Sequence, residues 1–178
     1  MCIRDRPCDE EFVLSSTGAL GLQKLPKKVA IVGGGYIGLE LGCALSKLGS
    51  EVSIIEGTDS ILAIMDKEIR RPLEIWLKKN KVIVHTNSLA RGTKIKGKGA
   101  STKVELTFEK DSEEHKITVD KVLVTVGRSP NSKGWGLENM GIRMDTSGRF
   151  IRIDRQCRTS APGAVSYTHL RAHETTRH

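Results

Sequence analysis

The chain has 178 residues, of which 38% are hydrophobic and 28% are charged. This composition is typical of a globular protein and excludes the disordered and fibrous classes. No apolar run approaches the roughly 20 residues that span a bilayer, so we predict no membrane segment. The net charge of +8 allows a nucleic-acid binder, but basic residues are scattered and aromatic residues make up only 4%. We therefore interpret the charge as a solvated surface and predict no nucleic-acid partner.

The two ends of the sequence fit no predicted element. Residues 1–6 and residues 165–178 resemble translated sequencing-adapter sequence, and we expect both segments to be non-native. The second segment holds three of the five histidines. These histidines lack cysteine or carboxylate partners at the spacing of metal ligands, so we predict no metal site.

The first predicted unit is a strand, a glycine turn, a helix and a second strand. Residues 28–32 form a short β-branched apolar run, which is typical of a buried parallel strand. Apolar residues then recur at helical spacing over residues 37–48, and Gly49 fits the end of that helix. Residues 51–56 are a second buried strand, which completes one right-handed crossover unit.

A second helix is predicted from an Asp66 cap to about Asn80. Pro72 lies within it and should either kink the helix or mark its first turn. Residues 81–85 are the third strand. The residues expected to face the core are Ile69, Leu73, Trp76 and Leu77.

The pattern then changes from continuous apolar runs to alternation. Residues 91–98 are predicted to be an exposed loop because they are rich in lysine and glycine. Residues 103–108 and 116–119 alternate with period two on either side of a charged turn at residues 109–114, which predicts an antiparallel hairpin or meander.

The last third of the chain begins with another continuous apolar run. Residues 121–126 are predicted to return to the parallel sheet. A turn cluster follows at residues 127–131, then a short helix at residues 134–140 and a late strand at residues 150–153. The expected fold class is therefore α/β, with a parallel sheet and a small antiparallel β-meander.

A glycine motif stands between the first strand and the first helix. In Gly33-x-Gly35-x-x-Gly38 the first glycine makes the tight turn, the second admits a pyrophosphate, and the third lets helix and strand pack closely. The helix N-terminus then attracts the phosphates. We therefore predict a Rossmann-like dinucleotide-binding domain. The alternatives are a plain strand-to-helix turn, and FAD in place of NAD, which the spacing alone does not exclude.

Glu56 ends the second strand, 18 residues beyond Gly38. A carboxylate at this point accepts hydrogen bonds from the two ribose hydroxyls of NAD. The 2′-phosphate of NADP would meet a like charge there, and residues 57–63 contain no arginine to neutralise it. The sequence therefore favours NAD over NADP.

Four segments, in this order along the chain, resemble one enzyme family. Residues 32–42, Val-Gly-Gly-Gly-Tyr-Ile-Gly-Leu-Glu-Leu-Gly, closely resemble the NAD fingerprint of dihydrolipoamide dehydrogenases. Residues 13–20 resemble the segment that leads into the NAD domain, and residues 120–131 resemble the segment that leaves it. Residues 137–163 resemble the return toward the FAD domain. The wider family is the FAD-dependent pyridine nucleotide-disulfide oxidoreductases.

The resemblance implies a function for the whole enzyme. Electrons would pass from dihydrolipoyl groups of 2-oxo acid dehydrogenase complexes to a redox disulfide, then to FAD, and finally to NAD⁺. The full-length enzyme would be a homodimer, located in the bacterial cytoplasm or the mitochondrial matrix. The alternatives are a related mercuric reductase, glutathione reductase, NADH oxidase or transhydrogenase, or a non-catalytic dinucleotide-binding module.

The resemblance also assigns site residues. Tyr36 or Ile37 would gate the nicotinamide, and Glu40 would lie near its carboxamide unless it is only an early-helix carboxylate. Ala90 matches a backbone contact, and Gly127 would approach the nucleotide from the opposite side. The complete expected cofactor-binding set is Gly33, Gly34, Gly35, Tyr36, Ile37, Gly38, Leu39, Glu40, Glu56, Ala90 and Gly127.

The expected organisation is that of an internal piece of the enzyme. Residues 7–24 would be a return from the FAD domain, residues 25–128 the NAD-binding domain, and residues 129–164 the start of the next return. No catalytic residue is assigned, because the redox pair needs two cysteines with four residues between them. The cysteines at positions 2, 8, 43 and 157 do not provide that pair. We therefore expect this chain alone to be inactive.

Overall fold

A computed structural model describes residues 8–128 and 130–167 of the chain. They form two compact units, one ending at Gly127 and the other beginning at Arg128. No helix in these described ranges is long and apolar enough to cross a membrane. The strands and α-helices, in chain order, are β1 (Val13–Leu14), α1 (Ser16–Leu20), β2 (Lys28–Val32), α2 (Tyr36–Leu48), β3 (Glu51–Ile55), α3 (Lys67–Lys79), β4 (Ile83–His85), β5 (Ser88–Lys96), β6 (Lys103–Lys110), β7 (Glu113–Val119) and β8 (Lys121–Val124).

The first unit is built on a parallel sheet of five strands in the order β1-β8-β2-β3-β4. Val32 at the end of β2 pairs with Ile55 on one side and with Val124 on the other. From β2 the chain first adds strands on one side of the sheet and later returns to the other side with β8. The boundary between β2 and β8 is therefore a topological switch point, where α/β proteins bind ligands outside the carboxyl ends of the strands. The predicted α/β fold class is confirmed.

The central strands are mostly apolar, because both faces of the sheet are covered. Alternate side chains point to opposite faces, so Ala30 and Val32 enter one core while Val29 and Ile31 enter the other. The second core also takes Leu39 of α2 and Leu77 of α3. The first core lies between the parallel sheet and residues of the antiparallel sheet.

The antiparallel sheet has three strands in the order β5-β6-β7. The prediction of an exposed loop at residues 91–98 was wrong, because β5 runs to Lys96 and pairs with β6 along its length. The turn between β6 and β7 is narrower than predicted and consists of Asp111 and Ser112, both with positive φ. Residues 113 and 114, which were predicted to belong to the turn, lie on β7 with His115.

Helix α3 begins and ends as predicted, with Asp66 and Asn80 at its caps, although the Asp66 side chain makes no capping hydrogen bond. Pro72 lies inside the helix, so it does not mark the first turn. Leu73, Trp76 and Leu77 pack on the core as expected. Ile69 does not, since it is 63% exposed. The inward face begins instead at Arg70, whose Nη1 donates to the carbonyl of Ile61 at 3.4 Å.

The second unit is mostly irregular. A short 3₁₀ helix, Leu137–Met140, occupies part of the predicted helix at residues 134–140. The strand predicted at residues 150–153 is wrong, because only an isolated antiparallel bridge joins Met144 to Ile151. Side-chain turns shape this region instead: Asp145 Oδ1 accepts from the backbone N–H groups of Arg149 and Phe150. Such turns offer the backbone an alternative to strand pairing.

His85 joins the two sheets of the first unit. The centroid of its ring lies 5.0 Å from that of Phe108. The Phe108 ring also stacks on the ring of His115, with the centroids 5.5 Å apart. Burial lowers the pKa of His85 below its usual value, and the nearby charges of Lys110 and His115 lower it further. The folded state therefore takes up a proton on His85 less readily than the unfolded chain does.

We expect this difference to make stability depend on pH. A depressed pKa in the folded state contributes stability that is complete above the unfolded value of about 6.5 and is lost as the pH falls below it. Urea midpoints measured between pH 7.5 and pH 5.5 should fall in the parent chain, and His85→Gln should flatten this decline. Since the charge of His115 is the smallest of the three causes that lower the pKa of His85, His115→Gln should keep most of this decline. Equal declines in the parent and in His85→Gln would contradict the prediction.

Candidate dinucleotide-binding site

The glycine loop joins the carboxyl end of β2 to the start of α2. Gly33 has a φ of 107°, a left-handed conformation that favours glycine, and its N–H donates to the carbonyl of Ile55 at 2.9 Å. Gly35 is the N-cap of α2 and has no side chain to cap the helix. The first N–H groups of a helix have no acceptor within it, so this end of α2 is suited to an anionic group.

The three glycines of the motif have different surroundings. A Cβ at Gly38 would overlap the carbonyl oxygen of Gly33 and would lie 2.6 Å from Thr125 Oγ1. A Cβ at Gly35 would meet nothing within 4 Å. Gly38 is therefore required by packing inside the protein, whereas the bare backbone at Gly35 leaves open space on the loop. The close packing at Gly38 is the one expected of the third glycine of the motif, and the pyrophosphate contact of the second glycine stays a prediction.

Glu56 follows β3 directly and is half-buried beside the loop. Its Oε2 accepts a hydrogen bond from Gly34 N–H at 2.6 Å. Its Oε1 accepts from both the N–H and the hydroxyl of Thr58, each at 2.8 Å. The carboxylate is thus held in one orientation by neutral donors. Each carboxylate oxygen has two lone pairs, so Oε2 retains acceptor capacity for a ligand hydroxyl.

Thr125 lies just past the end of β8, on the other side of the switch point. Its N–H donates to the carbonyl of Val32 at 2.8 Å. Its hydroxyl lies 3.1 Å from that same oxygen and 3.0 Å from the carbonyl oxygen of Gly33. Thr125 and Thr58 are not among the site residues predicted from the sequence. The position of Thr125 after an apolar strand of the parallel sheet was the signal that could have found it.

The predicted residues on the first turns of α2 differ in accessibility. Tyr36 is 37% exposed, Ile37 is half-buried and Glu40 is exposed. Leu39 is only 3% exposed and belongs to the core. Its backbone N–H donates to the carbonyl of Gly35 at 3.0 Å. The side chain of Leu39 therefore supports the helix and is turned away from the open side of the loop.

Ala90 and Gly127 lie on other segments at this end of the sheet. Ala90 is a buried residue of β5, next to a bulge in its pairing with β6. The segment that leads into β5 is tied to the region of Glu56, because Ser88 N–H donates to the carbonyl of Glu56 at 2.8 Å. Gly127 is exposed after β8, with a φ of 114°. The roles of both residues stay predictions.

No group of three or more histidine, cysteine, aspartate or glutamate side chains lies where it could hold a metal ion, among residues 8–128 and 130–167. The chemistry of this site is instead that of a glycine loop, a helix N-terminus and a fixed carboxylate. These features lie together at the carboxyl edge of the parallel sheet.

Comparison with known proteins agrees with this arrangement. The model of the family described as pyridine nucleotide-disulphide oxidoreductase matches residues 5–164. The chain belongs to this family. Among curated members, the dihydrolipoyl dehydrogenase of Bacillus subtilis is 45% identical over 153 residues, which are 85% of this chain and 32% of that protein. The dihydrolipoyl dehydrogenase of Pseudomonas aeruginosa is 43% identical over 148 residues, which are 83% of this chain and 30% of that protein.

Two solved structures share the fold. LpdA from Mycobacterium tuberculosis superposes with a TM-score of 0.74 at 27% identity, covering 90% of this chain and 33% of that one. The HOCl-induced flavoprotein disulfide reductase RclA from Escherichia coli gives a TM-score of 0.69 at 29% identity, covering 90% and 34%. The chain therefore spans about a third of the length of these relatives.

Proposed function

We propose that this chain is the NAD-binding portion of a dihydrolipoyl dehydrogenase. The observation that carries the proposal is Glu56, a carboxylate held beside the glycine loop by Gly34 N–H at 2.6 Å. The 45% identity to the Bacillus subtilis dihydrolipoyl dehydrogenase supports this enzyme over other members of the family. The open space at Gly35 supports a ligand that approaches the backbone closely.

The residues of the chain would each do one part of the binding. Gly33, Gly34 and Gly35 would present backbone to the pyrophosphate, and the N-terminus of α2 would favour its negative charge. Glu56 would accept hydrogen bonds from the adenosine ribose hydroxyls, and Ala90 would supply backbone contact nearby. When bound, NAD⁺ supplies the hydride acceptor of the reaction.

Side chains on α2 and a glycine on the far side would complete the site. Tyr36 and Ile37 would lie near the nicotinamide, with Glu40 one turn further along the helix. Gly127 would approach the nucleotide from the opposite side of the switch point, where its lack of a side chain permits close contact.

The whole protein would be a homodimer that also carries FAD and reoxidises dihydrolipoyl groups of 2-oxo acid dehydrogenase complexes. It would work in the bacterial cytoplasm or the mitochondrial matrix. We expect the 178-residue chain alone to lack this activity, since no two of its cysteines have four residues between them.

The proposal is tested by titrating the full chain with NAD⁺ and NADP⁺ in a calorimeter. NAD⁺ should bind saturably and NADP⁺ more weakly, because its 2′-phosphate would lie against the Glu56 carboxylate. Glu56→Ala should weaken NAD⁺ binding about tenfold or more, the effect of losing charge-assisted hydrogen bonds.

Glu51→Gln is the matched control. Glu51 is the first residue of β3, at the end of the strand away from Glu56, and its exposed side chain pairs with Lys28 at 2.9 Å. It should leave NAD⁺ affinity unchanged. A folded parent chain that binds no NAD⁺, or that prefers NADP⁺, would overturn the proposed function.

A further inference from the structure

We propose that Thr125 is a positioning residue for dinucleotide binding, because together with Glu56 it clamps the peptide group that joins Gly33 to Gly34. The inference rests on the proposed function and extends it to a residue on the other side of the switch point. Thr125 contacts the loop from the end of β8, and Glu56 contacts it from the end of β3.

The two contacts fall on one peptide group. The carbonyl oxygen of Gly33 lies 3.0 Å from Thr125 Oγ1, and the N–H of Gly34 donates to Glu56 Oε2 at 2.6 Å. The Val32 carbonyl already accepts the backbone N–H of Thr125 at 2.8 Å. The single hydroxyl proton of Thr125 is within reach of both carbonyl oxygens, at 3.0 Å from Gly33 and 3.1 Å from Val32. We assign it to Gly33, because the Val32 carbonyl already has a donor.

The direction of these bonds makes them reinforce each other. A hydroxyl donates to the oxygen of the peptide, and the N–H of that same peptide donates to a carboxylate. Hydrogen bonds in such a chain polarise one another, and the bond to the ionised group is the strongest of them. The clamp thus holds the peptide in one orientation, with its carbonyl toward β8 and its N–H toward Glu56.

Gly38 makes room for this hydroxyl. A Cβ at Gly38 would lie 2.6 Å from Thr125 Oγ1, closer than such atoms approach in proteins. The third glycine of the motif therefore does more in this chain than let α2 pack on β2. It leaves the space in which the side chain of Thr125, just past the end of β8, reaches the glycine loop.

The clamp bears on ligand binding through Glu56 and through the loop backbone. If the Thr125 hydroxyl is removed, the Gly33 carbonyl loses this donor. The peptide is then held by Glu56 alone of the two clamping residues, so its rotation is less restricted. Rotation would withdraw Gly34 N–H from Glu56, the carboxylate that would receive the ribose hydroxyls. Thr125 would then control affinity without touching the nucleotide.

The first experiment compares NAD⁺ binding by the full chain with that of Thr125→Val and Thr125→Ser. Valine has a similar shape but no hydroxyl, and we expect it to weaken binding about tenfold. Serine keeps the hydroxyl and should stay within about threefold of the parent. Thr118→Val, an exposed position on β7, is the matched control and should bind like the parent.

A second experiment measures the clamp without nucleotide. The NMR signal of Gly34 N–H should be shifted far downfield in the parent, and its hydrogen exchange should be slow. Thr125→Val should move the signal upfield and accelerate exchange, whereas Thr125→Ser should not.

The outcomes separate the two proposals. A parent that binds no NAD⁺ overturns the proposed function, and the NMR comparison still decides whether the clamp exists. A folded Thr125→Val that binds NAD⁺ like the parent overturns the positioning role while leaving the proposed function intact. An unchanged Gly34 signal in Thr125→Val overturns the clamp itself.

Discussion

Gly38→Ala is expected to lower the free energy of unfolding by about 3 kcal/mol and to abolish NAD⁺ binding. The added methyl group would overlap the carbonyl oxygen of Gly33 and would lie 3.1 Å from Ile31 Cγ2. Neither neighbour can move freely. The N–H of Gly33 is bonded to the carbonyl of Ile55, and Ile31 is a core residue of β2. α2 would have to shift away from the sheet. Thermal unfolding should show a fall in Tm of about 10 °C.

Gly35→Ala is the matched control for this substitution. Its φ of −77° suits any residue, and the added Cβ would meet nothing within 4 Å. The stability cost should stay below about 1 kcal/mol, the usual effect of alanine at a helix N-cap. NAD⁺ binding should nevertheless fall, because the methyl group would occupy the face open to the pyrophosphate. Binding at parental affinity would show that this face of the loop is not the ligand site.

Phe108→Ala is expected to have the largest effect on stability, about 3–5 kcal/mol. Phe108 lies on β6, is 2% exposed, and packs in the core between the two sheets with Val32 and Ile55. Alanine would leave a cavity there and remove the ring contacts with His85 and His115. Since a domain has a net stability of about 5–15 kcal/mol, this loss would remove a substantial part of it. Urea denaturation followed by circular dichroism measures the change.

Two further variants show whether the loss comes from the cavity. Phe108→Leu keeps most of the buried volume and should cost about half as much or less. Ile95→Ala, on β5, removes a side chain that is 51% exposed and should cost less than about 1 kcal/mol. Equal losses at Phe108 and Ile95 would contradict the assignment of Phe108 to the core.

The parts of the fold that could be predicted are those whose burial requires a recognisable pattern of apolar residues or glycines in the sequence. β2 and β3 are apolar on both faces, so their runs are continuous, and the glycine motif between them has strong local requirements. β5 could not be recognised in the same way. It is an edge strand, a bulge between Ala90 and Gly92 interrupts its alternation, and its outer half carries exposed lysines. Such lysines are typical of protected sheet edges and look like loop residues in a sequence.

The rotation of α3 shows a second limit. Ile69 and Arg70 differ by one position on the helix, and hydrophobicity favours Ile69 as the inward residue. In the structure Arg70 faces inward and Ile69 remains exposed. The guanidinium of Arg70 reaches the carbonyl of Ile61 in this position. A long side chain can bury its stem and still place its polar end on a backbone acceptor, a contact that periodicity alone does not reveal.

In the candidate site, too, some residues could be predicted from the sequence and others could not. Gly33, Gly35, Gly38 and Glu56 follow one another along the chain at a spacing that the crossover unit dictates, so they could be named from the sequence. Thr125 is 92 residues from Gly33, and only the strand order brings them together. The apolar run before Thr125 marks its place at the end of a strand, but no local pattern shows which distant glycine its hydroxyl reaches.

The strand order also has a consequence for how the protein is made. β2, α2 and β3 are neighbours along the chain and form contacts of short range, whereas β8 pairs with β2 across about ninety residues, as the hydrogen bond from Lys28 N–H to Asp120 shows at a separation of 92. Contacts of such separation form late, because the intervening chain must first be ordered. During synthesis β8 also leaves the ribosome last of the sheet strands. The strands that flank the glycine motif can therefore pair before β8 is available, and the contact of Thr125 with the loop has to wait for the pairing of β8.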